Sequence, residues 1–168
     1  MDIILNRRSV RKYDLTQKVE YNTLVELCRY AESAPSARRQ KSREYIIVDD
    51  KKIIDELSLV SKGSMILSEC NTLIAVIGKN PSELVTPHMQ VQDLSAATQN
   101  ILLQATNLGI GSCWIGIYPH EDRVNPCKKI LGITDERFVF SLIALGYPLN
   151  ENSFYDAEKE PIIHYNRG

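Results

Sequence analysis

The sequence predicts a mixed helix-and-strand domain, α/β or α+β, from three observations. Residues 20–34 carry an apolar stripe at 3–4 spacing (Leu24, Leu27, Cys28, Ala31), with Glu26, Arg29 and Glu32 off it, as in an amphipathic helix. Residues 72–77 (Thr-Leu-Ile-Ala-Val-Ile) are apolar on both faces, as in a central strand covered on both sides. Strict strand–helix–strand alternation is absent.

The elements follow in order. Ile3, Ile4 and Leu5 make a short apolar turn ahead of Arg7-Arg8-Ser9-Val10-Arg11-Lys12-Tyr13. The 20–34 helix ends at Pro35, whose ring cannot continue it. Tyr45 to Val48 is a β-rich run stopped by Asp49-Asp50, and residues 51–60 fit a second helix. After Asp93 no Asp, Glu, Lys or Arg occurs until Glu121. Within that stretch Leu94, Ala97, Ile101, Ala105 and Leu108 form one helix face, and Ala96, Leu102 and Leu103 make much of the rest apolar. A helix over 93–108 that is apolar nearly all round is buried on most sides, in a monomer core or against a second subunit as well. Gly109-Ile110-Gly111 stops it. Ser112 to Tyr118 reads as a buried strand, in which Gly116 marks a bulge or a close approach of ligand to backbone. A short helix over Pro126–Leu131 and a strand over Phe138–Leu145 follow, closed by Gly146-Tyr147-Pro148. The polar last twenty residues carry Ile162, Ile163 and Tyr165, expected to pack across another element or a partner subunit.

At 168 residues, 43% apolar and 24% charged, the chain is expected to form one globular domain spanning 1–168. A net charge of −1 argues against general nucleic-acid binding. Charge is nonetheless uneven: residues 1–43 sum to +5 and the remainder to −6, so an anion would sit on the N-terminal quarter. Cys28, Cys70, Cys113 and Cys127 lack CxxC spacing and read as reduced thiols of a cytoplasmic protein. His88, His120 and His164 show no metal-ligand spacing. The first residues lack an apolar h-region, so no signal peptide is expected, and no membrane-length apolar run, Gly-x-Gly-x-x-Gly after the first strand, P-loop, Gly-x-Ser-x-Gly or His-Glu-x-x-His occurs. A chain without side-chain catalysts but with a cation cluster fits a cofactor holder, because the cofactor brings the reactivity. Three stretches are candidates to hold a flat phosphorylated cofactor: Arg7–Lys12, Ala34–Gln40, and Ser112–Gly116 with the lone Trp.

In this order and spacing the chain resembles the nitroreductase family of flavin enzymes, among its short forms, over essentially its full length. The matching motifs are Arg-Arg-Ser-Val-Arg-Lys-Tyr at 7–13, Ala-Pro-Ser-Ala at 34–37 followed by Gln40, Leu-Gly-Ile-Gly-Ser-Cys-Trp-Ile-Gly at 108–116, and Leu-Gly-Tyr-Pro at 145–148. The resemblance implies an α+β fold with a central mixed sheet flanked by helices, in an intertwined homodimer with FMN at the subunit interface. It implies that Arg7, Arg8, Ser9 and Arg11 hold the phosphate, ribityl and pyrimidine side of FMN. Pro35, Ser36, Ala37, Arg39 and Gln40 would line the ring from the other subunit. Cys113, Trp114, Ile115 and Gly116 would run along the isoalloxazine. It further implies hydride transfer from NAD(P)H through the flavin to a nitroaromatic, quinone or similar acceptor, with no obligatory protein acid or base. A flavin-binding or sensing protein with little turnover is the alternative.

The chain departs from the family pattern at Arg39, Ser42 and Arg43, where Asn, Pro and Trp are usual, and the departures suggest a more cationic mouth. Such a mouth would favour anionic acceptors or the phosphate of NADPH; a solvated basic loop is the plainer reading. Phe154 falls where a Lys or Arg often reaches the FMN phosphate.

Overall fold

The computed structural model describes residues 2–149 and 161–167. Along the described residues the chain forms α1 (Ile3–Asn6), α2 (Tyr21–Glu32), β1 (Arg43–Val48), α3 (Lys51–Ser58), β2 (Thr72–Gly78), α4 (Gln90–Asn107), β3 (Gly111–Gly116), α5 (Glu121–Ile130) and β4 (Phe138–Gly146). Short 3-10 segments cover Ala37–Arg39, Lys62–Glu69, Pro81–Glu83 and Pro87–Met89. The order is that of an α+β fold.

The strands form one sheet in the order β1-β2-β4-β3. All three pairings are antiparallel. The mixed sheet implied by the resemblance is thus met only at its margin, where Ser9 makes a parallel bridge to Ser112. Every residue of β2 is buried, as its two-faced apolar run requires. Alternate residues face opposite layers. Leu73, Ala75 and Ile77 pack with Ile54, Leu57, Leu67 and Cys127, contributed by α3, the 62–69 segment and α5. Ile74 and Val76 pack with Leu24, Leu27, Ala31, Leu94, Ala97 and Ile101 of α2 and α4. Helices therefore cover both faces of the sheet. Between the pairs Val76–Ser141 and Ile77–Val139 one residue of β4, Phe140, is left over as a bulge. Its carbonyl accepts the Ile117 and Tyr118 N–H groups, which turns the chain away at the end of β3.

Helix α4 begins at Gln90 rather than 93 and ends at Asn107. Gln90, Asp93, Leu94, Ala97, Thr98, Ile101, Leu102 and Ala105 are buried. Its other side is only partly covered within the chain, and Val91 and Leu108 are exposed. Helix α5 starts at Glu121, five residues before Pro126. Glu121 and Asp122 lie in its first turn and Lys128 and Lys129 in its last, complementing the helix dipole at both ends. Of the tail, Ile162, Ile163 and Tyr165 are strongly exposed, so the expected packing across another element is not met within the chain.

All four cysteines are free. Burial pushes the Cys28 and Cys70 thiols from 9.0 to about 11 and that of Cys127 to about 12. Raised thiols keep their protons in the folded state while unfolded thiols ionise near 9. Their contribution to stability is therefore fully present below pH 9 and is lost as pH rises toward 11–12. Urea unfolding is expected to show a midpoint flat from pH 7 to 8.5 and falling above pH 9.5. A midpoint that rises over that alkaline range would contradict the assignment.

Candidate functional site

The cation segment is extended and laid along the outer edge of β3. Asp2 caps α1, its carboxylate accepting the Ile4 and Leu5 N–H groups, and the helix ends at Arg7. Beyond it, Val10 N–H donates to Ser112 O at 2.9 Å. Tyr13 is buried; its hydroxyl donates to Val10 O at 2.6 Å, and Asp14 N–H donates to Tyr147 O. Gly111 and Gly146 make room for this segment: a Cβ at Gly111 would lie 2.9 Å from the Val10 side chain, and one at Gly146 2.9 Å from the Tyr13 ring.

Extended backbone sends alternate side chains to opposite sides. Arg7, Ser9 and Arg11 fall on one side of the segment, and the two cations are near enough to the Cys113 thiol to act on it. Burial raises that thiol, and the Arg11 and Arg7 cations and a hydrogen bond with Ser9 act against the rise. Arg11 also donates from Nη1 to Ser9 O at 3.2 Å. No carboxylate pairs with Arg7 or Arg11 among the described residues. Arg8 turns the other way: its Nη1 donates to Leu5 O and to Arg7 O, and it borders a 120 Å³ recess with Val10, Thr106, Ile110 and Pro148. The structure thus separates Arg8 from the three residues implied to share its role.

On β3, Cys113 and Ile115 are buried, Trp114 is partly exposed and tilted against Phe140 at 5.8 Å, and Gly116 is exposed. A Cβ at Gly116 would meet nothing within 4 Å. The glycine stands in open space rather than filling a tight one, and its carbonyl accepts from Arg123 Nη1 at 3.3 Å. The Ser112 hydroxyl is buried without a hydrogen-bond partner among the described residues. Two guanidinium groups without carboxylate partners, a hydroxyl and open space at the strand end suit a phosphorylated, hydrogen-bonding planar group, so the donor set fits FMN.

The third stretch is a tightly held turn between α2 and β1. Arg38 and Arg39 both have left-handed backbones, with φ of 49° and 55°. Such a conformation costs a non-glycine residue roughly 1–2 kcal/mol. Asp93, buried at the start of α4, offsets it: Oδ1 accepts Ala37 N–H and Oδ2 accepts Gln40 Nε2, both at 2.8 Å. Hydrogen bonds to a charged group are worth about 1.5–3 kcal/mol each. The rest of the Gln40 amide is taken by Thr86, whose N–H and hydroxyl donate to Oε1 and whose carbonyl accepts from Nε2. Gln40, expected on the flavin, is therefore committed to the protein.

Arg43 overturns a second expectation. Its side chain is 4% exposed. Nη2 donates to Glu32 O and Ala34 O, the carbonyls left open at the end of α2; Nη1 donates to Asp93 O, and Nε to the Glu32 carboxylate. Ser42 is also buried. Arg43 therefore borders the mouth as a buried cation paired with Glu32 and adds little net charge there, whereas Arg38, Arg39 and Lys41 are exposed. Pro35, Ser36, Arg39 and Lys41 border a cavity of about 250 Å³. Asp93 and Arg43 were not anticipated as site-shaping residues. The signal for Asp93 was its place as the last charge before a long uncharged helix. Phe154 lies outside the described residues.

Among the described residues, no group of His, Cys, Asp or Glu could hold a metal ion, and no helix is long and apolar enough to cross a membrane.

Comparison with known proteins agrees with this geometry. The model of the Nitroreductase family matches residues 63–147. A protein of Archaeoglobus fulgidus with the provisional name NADH dehydrogenase/NAD(P)H nitroreductase is 35% identical over 158 residues, covering 94% of this chain and 90% of its own. The crystal structure of a provisionally named NADH oxidase from Clostridium acetobutylicum superposes with a TM-score of 0.87 at 36% identity, over 98% of this chain and 100% of that one. An FMN-dependent nitroreductase from Clostridium difficile superposes with a TM-score of 0.89 at 27% identity, over 99% and 98%. With its sheet, its cation segment on the β3 edge and these relatives in accord over nearly the whole chain, the protein belongs to the nitroreductase family.

Proposed function

We propose that the protein is an FMN-dependent NAD(P)H oxidoreductase acting on nitroaromatics, quinones or similar conjugated acceptors. The observation that supports this reading is the docking of the Arg7–Arg11 segment along the outer edge of β3, through the Ser9–Ser112 bridge, on a strand with open space at Gly116. When bound, FMN supplies the redox chemistry, accepting hydride from NAD(P)H and passing it to the acceptor in alternating turns at one site.

Every other part of the work falls to the chain. Arg7 and Ser9 bind the phosphate and ribityl side. Arg11 sets positive charge beside the pyrimidine edge, where it favours the anionic reduced cofactor and raises the potential. Gly116 offers its backbone N–H to the ring, while that of Ile115 faces β4, and Cys113 and Trp114 give the ring an apolar, partly dry flank. Pro35, Ser36, Ala37 and Arg39 close it from a second subunit, with Arg39 adding a cation toward the phosphate; Gln40 contributes by holding that turn. No side-chain acid or base is required, and catalysis rests on positioning and electrostatics.

A homodimer is part of the proposal. Ile3, Ile4, Tyr30 and Leu103 line an open groove of about 300 Å³ between α1, α2 and α4. Ile4 and Leu5 are 71% and 67% exposed, and the tail carries further exposed apolar residues. A second copy laid against α4 would cover this surface. Four free thiols are in keeping with a cytoplasmic protein.

Purified protein is expected to be yellow, to bleach anaerobically with NADH or NADPH, and to recolour with a nitroaromatic. A yellow protein that does not bleach would instead support a flavin-binding protein with little turnover. Failure to take up FMN at all would refute both. A stable monomer in sedimentation at micromolar concentration would refute the interface assigned to α4.

A further inference from the structure

The turn over residues 35–40 carries the residues proposed to close the flavin from the second subunit, and besides its own backbone bonds and the Gln40–Thr86 bonds it is held by a side chain from a distant helix. Asp93 is 4% exposed, and no Lys or Arg side chain forms an ion pair with its carboxylate among the described residues. One oxygen holds Ala37 N–H and the other holds Gln40 Nε2, each at 2.8 Å. Between these anchors lie Arg38 and Arg39, both left-handed. A single carboxylate thus grips both ends of a two-residue turn whose backbone would relax if released. The direction in which Arg39 leaves the chain depends on that backbone, because a return to ordinary right-handed or extended φ would swing its Cα–Cβ bond away.

We propose that Asp93 is a positioning residue for the cofactor: by clamping Ala37 and Gln40 it fixes the turn that aims Ser36 and Arg39 at the flavin, and so sets flavin affinity without touching the flavin. This rests on the flavin reading above. The carboxylate form matters because both its partners are donors. An amide in its place accepts from Ala37 but sets an NH₂ group against Gln40 Nε2, donor against donor.

The test uses the full chain, with and without FMN. D93N is expected to bind FMN at least tenfold more weakly, and the Ala37 amide hydrogen of the apoprotein is expected to exchange faster by NMR. The melting temperature of the apoprotein should fall by only a few degrees. In D93N/Q40E the new amide at 93 donates to the new carboxylate at 40, while the bond to Thr86 O is lost. This pair is expected to recover at least threefold of the lost affinity. A merely structural role would lower stability in both variants and leave FMN affinity alone. An FMN Kd for D93N within twofold of wild type overturns the proposal, whatever the Ala37 amide does, as does a double variant no better than D93N. Should D93N fail to fold, D93S carries the test with the same criterion, since it withdraws the carboxylate and leaves the Gln40–Thr86 bonds in place. Wild-type protein that takes up no FMN overturns the flavin reading and this proposal together; wild type that binds with D93N unchanged overturns this proposal alone.

Discussion

Arg43→Ala is expected to destabilise the protein by about 3–5 kcal/mol, through buried acceptors left without donors. Two carbonyls depend on this guanidinium, Glu32 O and Ala34 O at the end of α2; its contact with Asp93 O is an addition to a carbonyl that the α4 ladder already satisfies. The ion pair with Glu32 matters less, because that carboxylate is 52% exposed and screened by solvent. For a chain of this length the loss corresponds to a melting temperature lower by roughly 10 °C. Arg43→Lys keeps the charge but not the planar fork, so it should lose an intermediate amount. Thermal or urea unfolding measures both. An alanine variant within about 1 kcal/mol of wild type would show that water can replace the fork, in conflict with its burial.

Arg7→Ala and Arg11→Ala are each expected to weaken FMN binding by about 1.5–3 kcal/mol, roughly ten- to 150-fold, as each removes a charge-assisted hydrogen bond. Removing both should not simply add, since the two cations act on one ligand. Titration of apoprotein with FMN, followed by flavin fluorescence, reads the effect directly. Arg8→Ala supplies the contrast. Its guanidinium serves Leu5 O and Arg7 O, so its main effect should be fraying of α1, with a smaller change in FMN affinity. Equal affinity in the Arg7 and Arg11 variants and wild type would remove the segment from the cofactor site.

The sequence showed most clearly those features whose cause is local. β2 stood out because both of its faces are apolar, and α4 because its charges stop at Asp93. Boundaries failed where local signals conflicted. Pro126 suggested the start of α5, but the helix begins five residues earlier and carries the proline inside it. The 62–69 segment was missed because a 3-10 helix lacks the 3.6-residue period by which helices are read. In the site, the clustering of cations at Arg7–Lys12 was legible because it is contiguous in sequence, but the turning of Arg8 away from Arg7, Ser9 and Arg11 was not. The roles of Gln40 and Arg43 were not, because their partners Thr86 and Asp93 lie 46 to 53 residues away. Charge count alone placed Arg43 at the mouth. Only the fold shows that the end of α2 surrounds it.

The strand order carries a kinetic consequence. No two neighbouring strands are joined by a tight hairpin: α3 intervenes between β1 and β2, α5 between β3 and β4, and the central pair β2–β4 encloses all of α4 and β3. Non-local pairing of this kind makes folding slow, because loop closure must precede the contacts that reward it. The cation segment can dock only on a completed β3 edge, through the Ser9–Ser112 bridge. The surface proposed to hold the cofactor is therefore built from segments a hundred residues apart in the chain, and a nascent chain cannot complete it before β3 has emerged.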